Sequence, residues 1–284
     1  MRGLLLFSIA VLAAAVGVVL FLVSYGGKIA GTEQPNSKVV AADIPIKTPE
    51  TRRRAEVPIL MYHYIRDYKS ETDPLGVQLS VSPAAFRAQL QALKRDGYST
   101  ISLSEFAKGN FGSKPIVLTF DDGYEDHFTT ALPILQELNY TATFFIVKNF
   151  IGRPGYLSAA QISMLQDAGM EIGGHSTNHA NLSKMTYEKA VADISSSLAG
   201  RDNVFSYPSG QYTYETLDVV SGLGVTAAVT TEQGVATTET NLLELPRIRV
   251  KEKTDLISKI AELRDIQVPS KASQPPAAEV ELQE

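Results

Sequence analysis

Lys114 to His127 reads K-P-I-V-L-T-F-D-D-G-Y-E-D-H. The apolar, partly β-branched run Ile116–Phe120 has the composition of a buried strand, and it ends abruptly in two adjacent carboxylates and a glycine. Neighbouring like charges repel, so a metal ion, a proton shared between Asp121 and Asp122, or solvent must offset the cost. In folds where strands and helices alternate, polar groups that do chemistry collect at the C-terminal tips of the strands. Asp121 and Asp122 fall at such a tip.

Outward from this stretch the pattern repeats. Strands are predicted at Pro58–Tyr62, Thr141–Val147, Glu171–Gly173, Val204–Tyr207 and Val225–Thr230. Helices are predicted over Ser82–Arg95, Tyr124–Leu138, Ser158–Ala168, Thr186–Ala199 and Asp255–Arg264, with Pro133 kinking or dividing the second. Ser82 before Pro83 is a helix start signal, and Phe86, Leu90 and Leu93 share one face. The alternation predicts an α/β domain with a mostly parallel sheet, open or closed into a barrel.

The chain has 284 residues, 44% of them hydrophobic, a formal net charge of −5 and no cysteine. That length supports one substantial core with tails. The acidic balance argues against a nucleic-acid partner. The absence of cysteine excludes disulfides, thiolate metal sites and a Cys nucleophile. Gly3 to Tyr25 carries no charge and is apolar as far as Val23, long enough to cross a bilayer. Residues 1–25 are expected to be an uncleaved transmembrane anchor, with a removed signal segment as the alternative. Either reading places the remainder outside the cytoplasm, membrane-anchored or secreted. Residues 26–55 read as a linker, 56–267 as the globular α/β domain and 268–284 as a disordered tail.

Three strand ends hold most of the reactive groups. T-F-D-D-G carries Asp121 and Asp122, G-G-H-S-T-N-H carries His175 and His179, and M-Y-H-Y carries His63. The two histidines have metal-ligand spacing, and Gly173-Gly174 before them favour a loop over a helix. No Glu follows His175, which rules out the H-E-x-x-H protease pattern. Two histidines and one aspartate can hold a divalent ion with a position open for water. One aspartate as ligand and its neighbour as base would resolve the repulsion, with Gly123 turning the chain between them.

T-F-D-D-G followed by H-S-T-N-H resembles the first two motifs of the polysaccharide deacetylase family, the carbohydrate esterases with the chitooligosaccharide-deacetylase (NodB) homology domain. F-S-Y-P-S-G at Phe205–Gly210 is similar to the third motif. V-P-I-L-M-Y-H-Y-I at Val57–Ile65 resembles the subgroup that acts on poly-N-acetylglucosamine and similar exported glycans. The resemblance implies a distorted (β/α) barrel, Asp121 as catalytic base, and Asp122, His175 and His179 as ligands of a divalent metal, most often zinc (Zn2+). It implies that the backbone near Ser209, with Tyr207 beside it, meets substrate and stabilises the oxyanion. Two departures stand out. Ser206 occupies the place of the third motif's usual arginine, so Arg247 or Arg249 is expected to orient the base. No histidine follows His179, so His63 is expected to be the general acid. The implied reaction removes N-acetyl groups from N-acetylglucosamine residues of a cell-wall or extracellular polysaccharide. The alternatives are an O-acetyl esterase on a plant or wall polysaccharide and an inactive glycan-binding member. The expected partners are the glycan and, through the N-terminal helix, the membrane; the catalytic domain is expected to be a monomer.

Overall fold

A computed structural model describes residues 55–264. The predicted anchor, nearly all of the linker and the tail lie outside the described residues. Among the described residues, no helix is long and apolar enough to cross a membrane.

Seven parallel strands close into a barrel: β1 (Ile59–Tyr62), β2 (Pro115–Phe120), β3 (Thr143–Ile146), β4 (Glu171–Gly174), β5 (Val204–Ser206), β6 (Ala227–Gln233) and β7 (Leu245–Arg249). Each strand pairs with its successor in sequence. β1 closes the ring, with Leu60 opposite Leu118 of β2 on one side and opposite Ile248 of β7 on the other. Ser99–Thr100 adds a short edge strand beside the start of β2.

Helices α1 (Pro83–Arg95), α2 (Leu132–Glu137), α3 (Ala159–Asp167), α4 (Tyr187–Leu198) and α5 (Tyr214–Gly222) follow β1 to β5, and α6 (Leu256–Leu263) follows β7. Local signals set their starts. Ser82 accepts a hydrogen bond from the Ala85 N–H, and Ser158 with Gln161 forms a capping box. The segment predicted as one helix from Tyr124 is divided differently: a π-helical turn, His127–Ala131, leads into α2, and Pro133 sits in the first turn of α2, where its missing N–H costs nothing.

The two-residue period of the strands sorts the core into two layers. Ile59, Val117, Phe145, Val204, Val229 and Leu245 fill the barrel interior, while Leu60, Leu118, Phe144, Ile172 and Ile248 pack under the helices. Gly173 belongs to the inner layer because nothing larger fits. A Cβ there would lie 2.6 Å from the Phe145 ring and 2.7 Å from the Val204 carbonyl oxygen. The alternation that aims Val117 and Leu245 inward also aims Thr119, Asp121 and Arg247 inward, at the end of the barrel where the strands finish.

Candidate active site

His175 directly follows β4, and the turn after it converges the two histidines on Asp122. Ser176 and His179 both have positive φ, 59° and 55°, so the segment is a tight loop. Asp122 has φ 76° and Gly123 has φ 77°. The turn predicted at Gly123 therefore begins one residue earlier, in a conformation that aspartate tolerates better than most residues. This separates the paired carboxylates. Asp121 continues the inward face of β2, and Asp122 swings toward the histidines.

The Nε2 atoms of His175 and His179 each lie 3.4 Å from Asp122 Oδ1, and all three donors lie within 4.8 Å of one another. Tetrahedral coordination at the usual zinc–nitrogen and zinc–oxygen lengths separates ligand atoms by about 3.4 Å. Asp122 Oδ1 is buried and has no hydrogen-bond partner, a costly state for a carboxylate oxygen unless a cation completes it. His175 Nδ1 donates to the Ser206 carbonyl at 2.7 Å, which leaves the Nε2 lone pair facing Asp122. The residues present fit a divalent ion. Burial alone would raise the Asp122 carboxyl, yet the contact and charge of His175 bring it down to about 2. His175 is lowered by burial but raised more by Asp122 and Asp121. His179 is pulled down by burial and by the charge of His175.

Asp121 is buried, and Arg247 grips it bidentately, Nη1 to Oδ1 at 2.8 Å and Nη2 to Oδ2 at 2.7 Å. Arg247 is fully buried. It also donates to Thr119 Oγ1, Thr230 O and Ser206 Oγ at 3.0, 2.8 and 3.2 Å. Burial pushes the Asp121 carboxyl up, but the charge and hydrogen bonds of Arg247 outweigh it and hold the group well below the usual carboxylate range. Of the two arginines considered from sequence, Arg247 reaches Asp121. The small Ser206 leaves it room and contributes a hydroxyl. Arg249 lines the cleft without a hydrogen bond from its guanidinium to Asp121.

His63 sits one residue past β1 with Nε2 3.9 Å from Asp121 Oδ2, and burial lowers it to about 4 against the pull of Asp121 and Asp122. These groups open onto a cleft of about 410 Å³ lined also by Tyr64, Leu75, Leu79, Tyr124, Ser209, Thr231 and Arg249. Ser209 has φ 54° on the turn Pro208–Gly210 after β5, and its N–H has no acceptor among the described residues. Tyr207 is not brought into the cleft. Its ring is fully buried against Tyr212, its hydroxyl donates to the Leu243 carbonyl at 3.0 Å, and its N–H is taken by Val229 O. The cleft wall from Asp73 to Leu79 comes from a short helix, Pro74–Leu79, capped by Asp73. The Asp-Pro start was its only sequence signal.

Fold and site together define a class: a parallel (β/α) barrel with a His/His/Asp cluster and an arginine-clamped aspartate where its strands end. The family model for polysaccharide deacetylase matches residues 108–228. YxkH of Bacillus subtilis (strain 168), named as a polysaccharide deacetylase, is 31% identical over 213 residues, 71% of this chain and 74% of its own length. A poly-β-1,6-N-acetyl-D-glucosamine N-deacetylase of Staphylococcus epidermidis is 24% identical over 224 residues, covering 67% of this chain and 78% of that one. Among solved structures, the Streptococcus pyogenes deacetylase PplD in complex with acetate superposes with a TM-score of 0.68 at 29% identity, over 73% of this chain and 99% of that one. The chain belongs to the polysaccharide deacetylase family.

Proposed function

We propose that the protein is a divalent-metal-dependent N-deacetylase that releases acetate from N-acetylglucosamine residues of a cell-wall or extracellular polysaccharide. The observation that carries this reading is the orphaned Asp122 Oδ1 facing His175 and His179 beside an aspartate that Arg247 keeps ionised. Asp122, His175 and His179 would hold the ion, zinc by the chemistry of the donors. When bound, it supplies Lewis acidity to the acetyl carbonyl and to a water molecule.

The chain's own residues do the rest. Asp121 accepts a proton from the attacking water as its oxygen bonds to the carbonyl carbon. The Ser209 N–H donates to the oxyanion that forms. Because His63 is neutral at pH 7, the proton it delivers is the one it receives from Asp121 across the 3.9 Å contact. The C–N bond breaks, its electron pair stays on nitrogen, and His63 protonates the leaving amine. Acetate and a free amine result. Tyr64 and Tyr124, stacked at 3.8 Å, offer a rigid aromatic wall to the sugar. The anchor read from Gly3–Val23 would hold this domain outside the cytoplasm, close to such a polymer.

The test is acetate release from N-acetylglucosamine oligomers. Activity is expected to disappear with chelator, return with zinc, and be lost in His175→Ala. Full activity in chelated His175→Ala protein would overturn the mechanism.

A further inference from the structure

The quoted stretch ends in Asp126 and His127, which the mechanism leaves unused. His127 is fully buried, six residues past the base, in a cage of rings: Phe120 at 5.3 Å, Phe144 at 5.6 Å and Tyr124 at 5.8 Å between centroids. Its Nε2 lies 2.6 Å from the His63 carbonyl oxygen. A carbonyl only accepts, so the proton is on Nε2. Nδ1 is then a bare acceptor, buried with no partner. A buried polar atom left unsatisfied is destabilising, a cost that a phenylalanine at this position would avoid. Burial also lowers the imidazole against the opposing charge of Asp126, and the carbonyl contact selects this one tautomer. The cost makes sense if the Nε2–H bond to the His63 backbone is needed.

That bond sits where the barrel ladder stops. The Tyr62 carbonyl, at the end of β1, still accepts from the Asp121 N–H at 3.0 Å. The next carbonyl, of His63, lies past the strand, and the side chain of His127 takes it. Two residues on, the Ile65 N–H faces the Asp126 carboxylate. The peptide carrying the His63 imidazole is thereby fixed to the segment that follows the catalytic aspartates.

We propose that His127 is a positioning residue: by holding the His63 carbonyl, it fixes the imidazole of His63 against Asp121 for proton delivery to the leaving amine. The inference rests on the deacetylase reading for the role of His63, whereas the positional claim stands on geometry alone.

The experiment compares His127→Phe, which fills the cage without a donor, with His127→Gln, whose amide can reach the same carbonyl. Three readouts are used: thermal unfolding, kcat and KM for acetate release, and the crystallographic His63 Nε2–Asp121 Oδ2 distance. A folded His127→Phe protein is expected to lose about tenfold or more in kcat, in line with the weight of a positioned proton donor, with KM within twofold. Its His63 ring is expected to move away from Asp121. His127→Gln is expected to recover kcat to within about threefold. Should the Phe variant fail to fold, His127→Asn, whose shorter amide falls short of the carbonyl, takes its place against Gln. Unchanged kcat, a loss confined to KM, or a His63 ring that stays in place without the donor would each overturn the inference. If the parent releases no acetate, the deacetylase reading falls; the distance then still decides whether His127 positions His63.

Discussion

Replacing Arg247 by methionine removes the group on which the state of Asp121 depends. Methionine matches much of the volume, so the loss is mainly of charge and hydrogen bonds. Five donor contacts disappear, two of them to Asp121. Removing one partner of a buried ion pair costs about 3–5 kcal/mol. For a domain of this size, that lowers Tm by roughly 6–20 °C. The remaining carboxyl keeps its burial and loses the charge that outweighed it, so it is expected to be protonated at neutral pH and unable to act as base. Activity is expected to fall at least about 100-fold. In the parent, Asp121 is depressed below its unfolded value, so its stabilisation is complete above about pH 4 and is lost as pH falls through the lower folded value. In Arg247→Met, burial raises Asp121, and the penalty is present at neutral pH and fades in acid. The stability gap between the two proteins, measured by thermal unfolding of chelated samples, is therefore expected to be widest near pH 7 and to narrow toward pH 3. Moving the arginine, as Ser206→Arg with Arg247→Ser, is expected to restore part of the activity. A gap that does not change with pH, or Arg247→Met activity near the parent's, would refute the account of how the base is held.

Other outcomes follow from the same geometry. Equilibrium dialysis is expected to find about one zinc per chain, and saturating zinc at 100 times its Kd should add about 2.7 kcal/mol of stability; Asp122→Ala and His179→Ala should each abolish that increment. Because burial lowers folded His63 to about 4, the unfolded chain binds the extra proton, and the parent should lose stability as pH falls from about 6.5 toward 4. His63→Gln should lose less over that window, as read by denaturant titration. Gly173→Ala would press a methyl into the Phe145 ring and the Val204 carbonyl, at a cost of about 1–3 kcal/mol seen as a lower urea midpoint. Arg249→Gln, on the cleft wall but off the base, is expected to raise KM several-fold with kcat little changed in the acetate assay.

Much of the molecule was legible in the sequence because local rules carried it. Short apolar runs marked six of the seven barrel strands, and Ser82-Pro83 marked a helix start. The motif histidines and aspartates fell at strand tips, where a parallel barrel gathers them. The helix Pro74–Leu79 escaped because six residues are too few to display a period. Tyr207 was placed with the substrate by its neighbours in the motif, whereas alternation along β5 turns its ring outward into the core beside Tyr212.

The sequence by itself determined the ligand types, their spacing, and the absence of the usual arginine at Ser206. It could not choose between Arg247 and Arg249, because both lie on the same face of β7 and their distances to Asp121 depend on how the ring of strands closes. Nor could it give His127 a task. That imidazole meets the His63 carbonyl, 64 residues away in the chain, only because β1 and β2 lie side by side. Period and composition act over a few residues and survive in a linear reading. The partner of a buried charge or a bare carbonyl is set by strand order and register, which exist only once the barrel is closed.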